Sequence, residues 1–440
     1  MKKWNYTLPA MAAGGEQVLQ KLNEQGYDAF FVGGCVRDEL MHRTVTDMDI
    51  TTSATPEQVI ALFPDSIPTG LQHGTVTVRS NGHHYEVTTF RTESGYEDFR
   101  RPTEVQFVDR VEDDLKRRDF TMNAIARNVT GDLLDPFSGQ EDIKQGTVKC
   151  VGTPEERFEE DALRIMRGVR FASVFNFGLE TDTWSGMIRQ RDKLAYIAME
   201  RVRTEMDKMM AGPFPSKGVE LLMDSRILEY VKSPVRLASL DRNLTGYLDK
   251  LPQQAIYRYE MLLLLLEMGS SEAGSLLREW TFSGEARDRI TNMLAFHEHI
   301  LSLFEKLALN MEQLEKTELL SLLRTDWIPL VLRFGREAAQ DWILINRGIA
   351  VEEDIFSPAY RNLCPLLLLK AEDWTAEMNV YHVKDLALGG ADLMRVTGRK
   401  GGPWLGLTMK RLLHVVALGQ IPNDHDSLLD AAKKVIEDEV

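Results

Sequence analysis

Two aspartates one residue apart, Asp47 and Asp49, follow a glycine-led turn in this 440-residue chain. Side chains alternate along an extended strand, so both carboxylates would point to the same face. Such a pair can bind Mg²⁺, and we take Asp47 and Asp49 as the candidate catalytic metal ligands. A lone Asp-x-Asp is more often part of a turn or a helix cap, so the elements around it decide between these interpretations.

The segment before the aspartates has the features of a phosphate site. A strand is predicted from Ala29 to Val32 and a helix from Cys35 to Met41, with Gly33 and Gly34 between them. Glycines let the backbone approach a phosphate chain closely, and Arg37 can add a charged fork to the same phosphates. A triphosphate site beside a metal-binding carboxylate pair predicts nucleotidyl transfer.

Two further segments supply polar groups to the same chemistry. Glu86 in HYEVTTF is the candidate third catalytic carboxylate, because its strand could pair beside the DMDI strand; a solvent-exposed strand glutamate is the alternative.

In RRDFTMNA, Arg118, Asp119 and Asn123 are candidates for contacts to ribose and triphosphate. A segment that caps a buried helix would have a similar sequence.

Asp161 and Arg164 in EEDALRIMRG are candidates for base recognition. Read as one helix, the segment places both side chains on one face, where most such pairs are surface ion pairs. A carboxylate acceptor beside a guanidinium donor also matches the Watson–Crick edges of cytosine and adenine and opposes those of guanine and uracil. Glu160 and Arg167 are expected to hold this pair in place, and Arg167 is a further nucleotide-binding candidate.

The composition is that of a globular chain with more than one domain. The length predicts about two to four domains, and the 43% of hydrophobic residues can fill sizeable cores. A formal charge of −15 disfavours indiscriminate coating of nucleic acid, so any RNA contact must be local. No membrane span or amino-terminal signal segment is indicated, which predicts a cytoplasmic protein; no protein partner is inferred.

Strand-like runs alternate with short helices up to about residue 147, among them TVTVRS, HYEVTTF and EVQFVD. From Glu155 onward helical periodicity replaces them, with a break predicted near Pro329. The polar segment between Arg91 and Pro102 is typical of a mobile loop beside a site, and equally of a solvated hairpin tip. The fold predicted is an α+β amino-terminal part with a mixed sheet, followed by an all-α remainder.

The chain resembles class II CCA-adding tRNA nucleotidyltransferases of bacterial type, members of the polymerase β-like nucleotidyltransferase superfamily. The resemblance rests on the following segments, in this order: GGCVRD, DMDI, EVTTFR, RRDFTMNA, DPFSGQEDI, EEDALRIMRGVRF and AMERVRTEMDKMM. It implies template-independent addition of the 3′-terminal CCA to tRNA from CTP and ATP, with two-metal Mg²⁺ catalysis and release of pyrophosphate. It also implies an elongated, seahorse-like shape.

The resemblance divides the chain into a catalytic nucleotidyltransferase head at 1–148, a neck for base selection at 149–216, a helical body at 217–345 and a tRNA-binding tail at 346–440. It implies metal binding at Asp47 and Asp49 and base selection by Asp161 and Arg164. Arg201, in the last of the matching motifs, is expected to brace the neck rather than to take part in chemistry.

Alternatives within the superfamily are an enzyme that adds only A, one that adds only C-C, and a poly(A) polymerase. Glu97, Asp98, Arg100 and Arg101 make the loop after Arg91 look complete, which favours full CCA addition over C-C addition. An alternative from a different class is a noncatalytic RNA-binding protein. That alternative predicts damaged metal carboxylates, whereas both aspartates are present.

Overall fold

A computed structural model describes residues 3–97, 99, 101–309, 314–349 and 356–437. The chain divides into two compact units, Met1–Ala238 and Ser239–Val440. The first unit contains the mixed sheet and the second is helical, which confirms the predicted α+β part and helical remainder. The finer division into head, neck, body and tail stays a prediction.

The strands of the first unit form one large sheet and two small ones. The strands are β1 (Ala29–Val32), β2 (Asp49–Thr52), β3 (Ser66–Gly70), β4 (Thr75–Ser80), β5 (His83–Thr89), β6 (Arg91–Glu97), β7 (Arg101–Phe107), β8 (Ala126–Arg127), β9 (Leu133–Leu134), β10 (Thr147–Val148) and β11 (Gly178–Leu179). The large sheet has the order β3-β4-β5-β2-β1-β8-β9; β6 pairs with β7, and β10 with β11. The predicted strands TVTVRS, HYEVTTF and EVQFVD are confirmed as β4, β5 and β7.

The central strand β2 is antiparallel to β1 and parallel to β5. Val32 lies opposite Asp49, so the end of β1 and the start of β2 meet at one edge of the sheet. One face of the sheet is covered by an apolar cluster that includes Leu19, Phe31 and Ile50. A second cluster contains Val32 and Phe90. Both clusters therefore pack against the strands that form this edge.

The helices of the first unit surround the sheet and then continue without it. They are α1 (Pro9–Glu24), α2 (Gly34–Leu40), α3 (Pro56–Leu62), α4 (Val111–Lys116), α5 (Gly139–Gln145), α6 (Pro154–Glu160), α7 (Leu163–Phe175), α8 (Thr181–Gln190), α9 (Met199–Met210) and α10 (Pro215–Ser225). Proline begins α1, α3, α6 and α10, where its missing N–H would have had no partner in the helix.

The second unit is built from helices of very different length. They are α11 (Tyr247–Lys250), α12 (Ala255–Leu265), α13 (Ser270–Glu279), α14 (Gly284–Ala308), α15 (Lys316–Phe334), α16 (Arg336–Gly348), α17 (Pro358–Leu368), α18 (Ala371–Glu377), α19 (Gly390–Thr397), α20 (Pro403–Ala417) and α21 (His425–Glu437). Among the helices that the structure describes, none has the length and apolar character needed to cross a membrane.

The predicted break near Pro329 is wrong, because α15 continues through this residue. Proline removes one helical hydrogen bond and usually ends or kinks a helix. Trp327, Ile328 and Val331 are fully buried on either side of it. Packing of these side chains outweighs the local preference of the proline.

A buried carboxyl pair lies between helices α12, α14 and α16. Glu260 on α12 is fully buried, and Asp341 on α16 accepts hydrogen bonds from Arg289 Nε and Nη2 at 2.7 and 2.9 Å. Burial, followed by the charge of Asp341, raises the pKa of Glu260 to about 9.

We expect Glu260→Gln to make the second unit less sensitive to alkaline pH. The pKa of Glu260 in the folded protein lies above the ordinary value of 4.5. The protonated side chain therefore contributes its full stability below pH 4.5, and this contribution is lost as pH rises towards 9. The free energy of unfolding of the variant relative to wild type should therefore increase between pH 5 and pH 9. Urea titrations at several pH values measure this, and the exposed Glu272→Gln on α13 should show no such trend.

Candidate active site

The turn between β1 and α2 is formed by Gly33, whose φ of 70° favours glycine. A Cβ at this position would lie 3.2 Å from Arg118 Nη1 and 3.9 Å from Asp49 Oδ2. The backbone angle therefore favours glycine, whereas the space would require only a small shift of the Arg118 side chain. The predicted helix from Cys35 to Met41 is confirmed as α2, shifted by one residue. The turn thus brings an arginine and an aspartate from distant parts of the chain against the start of α2.

The two aspartates lie at the start of β2, with Met48 between them pointing into the core. Asp47 is exposed and precedes the strand, whereas Asp49 is its first residue and is half-buried. Burial, followed by the charge of Asp47, raises the pKa of Asp49 to about 6, and Arg118 acts in the opposite direction. Two converging carboxylates that repel each other are the arrangement that a divalent cation stabilises.

Glu86, the predicted third carboxylate, lies on the neighbouring strand. β5 is parallel to β2 with Val87 opposite Ile50, which places Glu86 on the same face as Asp49. Its charge is one cause of the raised pKa of Asp49. Glu86 is exposed and is not part of the cavity wall that contains the aspartates. Its catalytic role stays a prediction.

Within the described part of the chain, no group of three or more acidic, histidine or cysteine side chains is arranged to hold a metal ion. The protein ligands of a metal at this edge of the sheet would therefore be Asp47 and Asp49. Mg²⁺ in nucleotide enzymes is commonly bound by one or two carboxylates together with substrate phosphates. The pair fits that requirement.

Asp114 on α4 fixes two arginines of the cavity, and the sequence analysis missed it. It is fully buried and accepts hydrogen bonds from Arg117 Nε and Nη2 at 2.9 and 2.8 Å, from Arg118 Nη2 at 3.3 Å and from Thr51 Oγ1 at 3.3 Å. Burial alone would raise the pKa of Asp114, but Arg117 and Arg118 hold it below its ordinary value. The spacing of three and four residues on a helix was the signal for these pairs.

Asp114 also anchors the hairpin formed by β6 and β7, because its Oδ1 accepts a hydrogen bond from the Arg91 N–H at 3.4 Å. The segment from Arg91 to Pro102 therefore contains paired strands, as the hairpin alternative predicted. Asp98 and Arg100 lie outside the described residues, and so do the side chains of Glu97 and Arg101.

Asp119 organises the next set of predicted nucleotide contacts. Arg167 donates to its Oδ2 through Nε at 2.8 Å and Nη2 at 2.5 Å, and Asn123 Nδ2 donates to its Oδ1 at 2.9 Å. Asn123 Oδ1 in turn accepts from Arg37 Nη1 at 2.6 Å, and Asp38 holds the other side of that guanidinium. Burial alone would raise the pKa of Asp119, but Arg167, Asn123 and Arg164 hold it well below its ordinary range.

The prediction that Asp161 and Arg164 share one continuous helix is wrong. Helix α6 ends at Glu160, Asp161 is extended with φ −141° and ψ 97°, and α7 begins at Leu163. Asp161 Oδ1 accepts the Leu163 N–H at 3.1 Å, which satisfies one backbone donor at the start of α7, whose N-cap residue is Ala162. A short polar residue that can bind the backbone in this way competes with continuation of a helix. Both Asp161 and Arg164 nevertheless line the same cavity.

Glu160 and Arg167 are both expected to hold the Asp161–Arg164 pair in place, and Glu160 contacts a member of this pair through a hydrogen bond. Arg164 donates to Glu160 at 3.0 Å and to the carbonyl oxygens of Arg157 and Arg117 at 3.1 and 2.9 Å, so Glu160 does hold Arg164. Arg167 donates to Asp119 instead of bracing the pair, because α7 packs across the segment that carries Asp119. Burial raises the pKa of Asp161 to about 6, although Arg164 opposes this.

These groups surround one cavity of about 1190 Å³ in the first unit. The cavity wall contains every predicted site residue except Glu86. It also contains residues that were not among the predicted site residues, and these are Asp38, Thr46, His73, Arg91, Glu93, Arg117, Arg170, Phe171, Arg201 and Lys208. The sequence could have indicated that Arg201 and Lys208 lie together, because residues seven apart on a helix share a face. We find no sequence signal for His73.

Comparison with known proteins gives consistent results. Residues 29–149 match a family model described as "Poly A polymerase head domain". Residues 176–235 match one described as "Probable RNA and SrmB- binding site of polymerase A", and residues 367–432 match one described as tRNA nucleotidyltransferase domain 2. A protein of Anoxybacillus flavithermus named CCA-adding enzyme is 36% identical over 417 residues, which is 94% of this chain and 95% of that protein. A CCA-adding enzyme of Lactiplantibacillus plantarum is 34% identical over 435 residues, 98% of each chain.

Among solved structures, the Bacillus stearothermophilus CCA-adding enzyme in complex with CTP has a TM-score of 0.78 and 30% sequence identity. The match covers 98% of this chain and 99% of that one.

We expect Asp114→Ala to lower the free energy of unfolding by about 3–5 kcal/mol, because Arg117 and Arg118 would lose their buried partner. Urea denaturation measures the change. The neighbouring Asp113→Ala, whose side chain is partly exposed, should stay within about 0.5 kcal/mol of wild type. Equal stability of the two variants would contradict the role given to Asp114.

Proposed function

This chain belongs to the CCA-adding enzymes, a family of nucleotidyltransferases, and we propose that it adds the 3′-terminal CCA to tRNA from CTP and ATP without a nucleic-acid template. In each step the 3′-hydroxyl of the RNA attacks the α-phosphate of the nucleotide, and pyrophosphate leaves. The observation that carries the proposal is the single cavity in which two converging aspartates, a glycine turn and the Asp161–Arg164 pair meet. We also propose the cytoplasm as its location.

The family implies dependence on a divalent metal ion. We propose that the ion is Mg²⁺ and that Asp47 and Asp49 hold two such ions, with Glu86 as the third carboxylate of the catalytic set. When bound, the metal neutralises charge on the pyrophosphate and lowers the pKa of the attacking hydroxyl.

The triphosphate would lie against Gly33 and Gly34, where the backbone can approach closely. Arg118 reaches the same turn and is held there by Asp114, so its positive charge is in place before the nucleotide binds. Arg37 lines the same part of the wall and adds a second guanidinium. These groups orient the α-phosphate towards the acceptor hydroxyl.

Asp119 and Asn123 are proposed to recognise the ribose. Both are nearly buried, and the hydrogen bonds from Arg167 and to Arg37 fix their side chains. A ribose 2′-OH is both a donor and an acceptor, which suits a carboxylate beside an amide. The site therefore favours ribonucleotides through groups that are already ordered.

Asp161 and Arg164 are proposed to replace a template. The ionised carboxylate accepts a hydrogen bond from the amino group of cytosine or adenine, and the guanidinium donates to the neighbouring ring nitrogen. Guanine and uracil would leave buried polar groups unpaired, a penalty that supports discrimination of about 10⁴- to 10⁵-fold. Glu160 holds Arg164 for this task.

The function is tested with labelled CTP and ATP on tRNAs that lack one, two or three terminal residues. Complete CCA addition extends all three. An enzyme restricted to A extends only the tRNA that lacks its last residue, and one restricted to C-C stops before A. Tight tRNA binding without any incorporation would identify a noncatalytic RNA-binding protein and refute the proposal.

We expect Asp49→Ala to abolish incorporation of both CTP and ATP, because it removes one of the two carboxylates proposed to hold the metal. Single-turnover incorporation at saturating tRNA measures this. Asp65→Ala, which removes an exposed carboxylate far along the sheet, should behave as wild type. Equal activity of the two variants would exclude Asp49 from the chemistry.

We also expect base selectivity to depend on pH through Asp161. Its pKa of about 6 means that the carboxylate is an acceptor above pH 6 and becomes a donor as it is protonated below that value. The groups that face it are Arg164, Arg167 and Asp119. The ratio of CTP to UTP incorporation should therefore fall between pH 8 and pH 5.5.

Because both nucleotides share the same chemical step, the ratio cancels other pH effects on the rate. The control is Asp161→Asn, which does not titrate; its ratio should be low and constant. A wild-type ratio that does not change with pH would show that Asp161 does not read the base.

A further inference from the structure

The cavity is large enough for two substrates. Sites for single small molecules commonly have volumes of about 300 to 1,000 Å³, and this one measures about 1190 Å³. Nucleotidyl transfer requires the acceptor hydroxyl next to the α-phosphate, so the end of the RNA with its own phosphates must enter the same space. Part of the wall must therefore face RNA rather than the incoming nucleotide.

Most cations in the wall are already neutralised by a carboxylate of the protein. The pairs are Arg37–Asp38, Arg91–Glu93, Arg117–Asp114, Arg118–Asp114, Arg164–Glu160, Arg167–Asp119 and Arg170–Glu205, with N–O distances between 2.5 and 3.3 Å. Each of these guanidinium groups has its position set by the protein. Because Arg117 and Arg118 share Asp114, these seven arginines exceed their six carboxylate partners by one positive charge, which remains available to the triphosphate.

Arg201 and Lys208 differ from these arginines. Both are exposed in the cavity wall, and neither has a carboxylate within ion-pair distance among the residues that the structure describes. They lie seven residues apart on α9, which places them on one face with a separation of about 10.5 Å along the axis. This face presents two uncompensated positive charges to the cavity.

The rest of α9 is fixed in place. Val202, Met206 and Met209 are buried on another face of the helix, and Glu205 forms a 2.5 Å ion pair with Arg170 on α7. The helix is therefore a rigid support, while the two cations keep the freedom of long side chains. Such an arrangement suits a flexible polyanion better than a triphosphate that must be positioned for reaction.

We infer that Arg201 and Lys208 bind the phosphodiester groups at the 3′ end of the RNA acceptor. This inference rests on the proposed function, and it replaces the bracing role expected for Arg201. Neutralisation of phosphates releases counterions, so each cation should contribute to the salt dependence of RNA binding. It should contribute little to the affinity for CTP.

The test is a fluorescence-anisotropy titration of tRNA lacking CCA, without nucleotide, at several KCl concentrations. For Arg201→Ala/Lys208→Ala we expect about tenfold weaker binding at low salt, since two charge contacts are lost. The slope of log K against log salt should fall by about 1.4, since each single-strand phosphate contact contributes about 0.7. The KM for CTP at saturating tRNA should not change.

The matched control is Arg189→Ala/Arg203→Ala, which removes the same net charge from α8 and α9 outside the cavity wall. It should bind tRNA with wild-type affinity and slope. The charge-retaining variant Arg201→Lys/Lys208→Arg should keep most of the affinity. If the alanine variant does not fold, as judged by thermal unfolding, Arg201→Gln and Lys208→Gln are tested singly.

Unchanged affinity and slope in the alanine variant would overturn the inference while CCA addition by wild type still stood. A raised KM for CTP with normal tRNA binding would also overturn it and assign the two cations to the nucleotide. Failure of wild type to incorporate CTP or ATP would instead refute the proposed function, which the labelling assay detects separately.

Discussion

The ionised buried carboxylates of Asp114 and Asp119 are the interactions on which the cavity depends. Each is almost inaccessible to water, yet arginines outweigh the cost of burial and keep its pKa low. Asp114 fixes Arg117 and Arg118 together with the start of the β6–β7 hairpin, and Asp119 fixes Arg167. The bonds of Asp114 to Arg117 and Arg118 are local, whereas those from Arg91 to Asp114 and from Arg167 to Asp119 join segments far apart in the chain. Together they order positive charge in the cavity before any substrate arrives.

Asp49 and Asp161 show the opposite electrostatic behaviour in the same cavity. Both have a raised pKa, mainly because burial is not fully compensated by neighbouring cations. Perturbed carboxylates of this kind concentrate where ligands bind, since a ligand can supply the missing stabilisation. The cavity thus combines two kinds of carboxylate. Asp114 and Asp119 are ion-paired and fix the arginines of the wall, whereas Asp49 and Asp161 have a raised pKa and can be stabilised by a metal ion or a base.

The break between α6 and α7 links base recognition to the packing of the helices. Asp161 is extended and accepts the Leu163 N–H at the start of α7, while Arg164 in the first turn of α7 is held by Glu160 at the end of α6. The two side chains therefore depend on two different helices. A change in the angle between these helices would alter how the pair meets a base, which couples selectivity to the geometry of the helical part.

The sequence by itself determined the α+β and helical parts, the glycine turn and the aspartate pair, because these depend on short-range periodicity and on residue type. It also identified nearly all residues of the cavity wall that we assign to the nucleotide. Only the tertiary structure decided that α15 continues through Pro329, that Asp161 interrupts a helix, and that Arg167 holds Asp119. The first and third outcomes depend on packing and on an ion pair between distant segments, for which local sequence carries no signal. The second depends on the hydrogen bond that Asp161 makes to the backbone of Leu163, which the helical periodicity of the segment does not reveal.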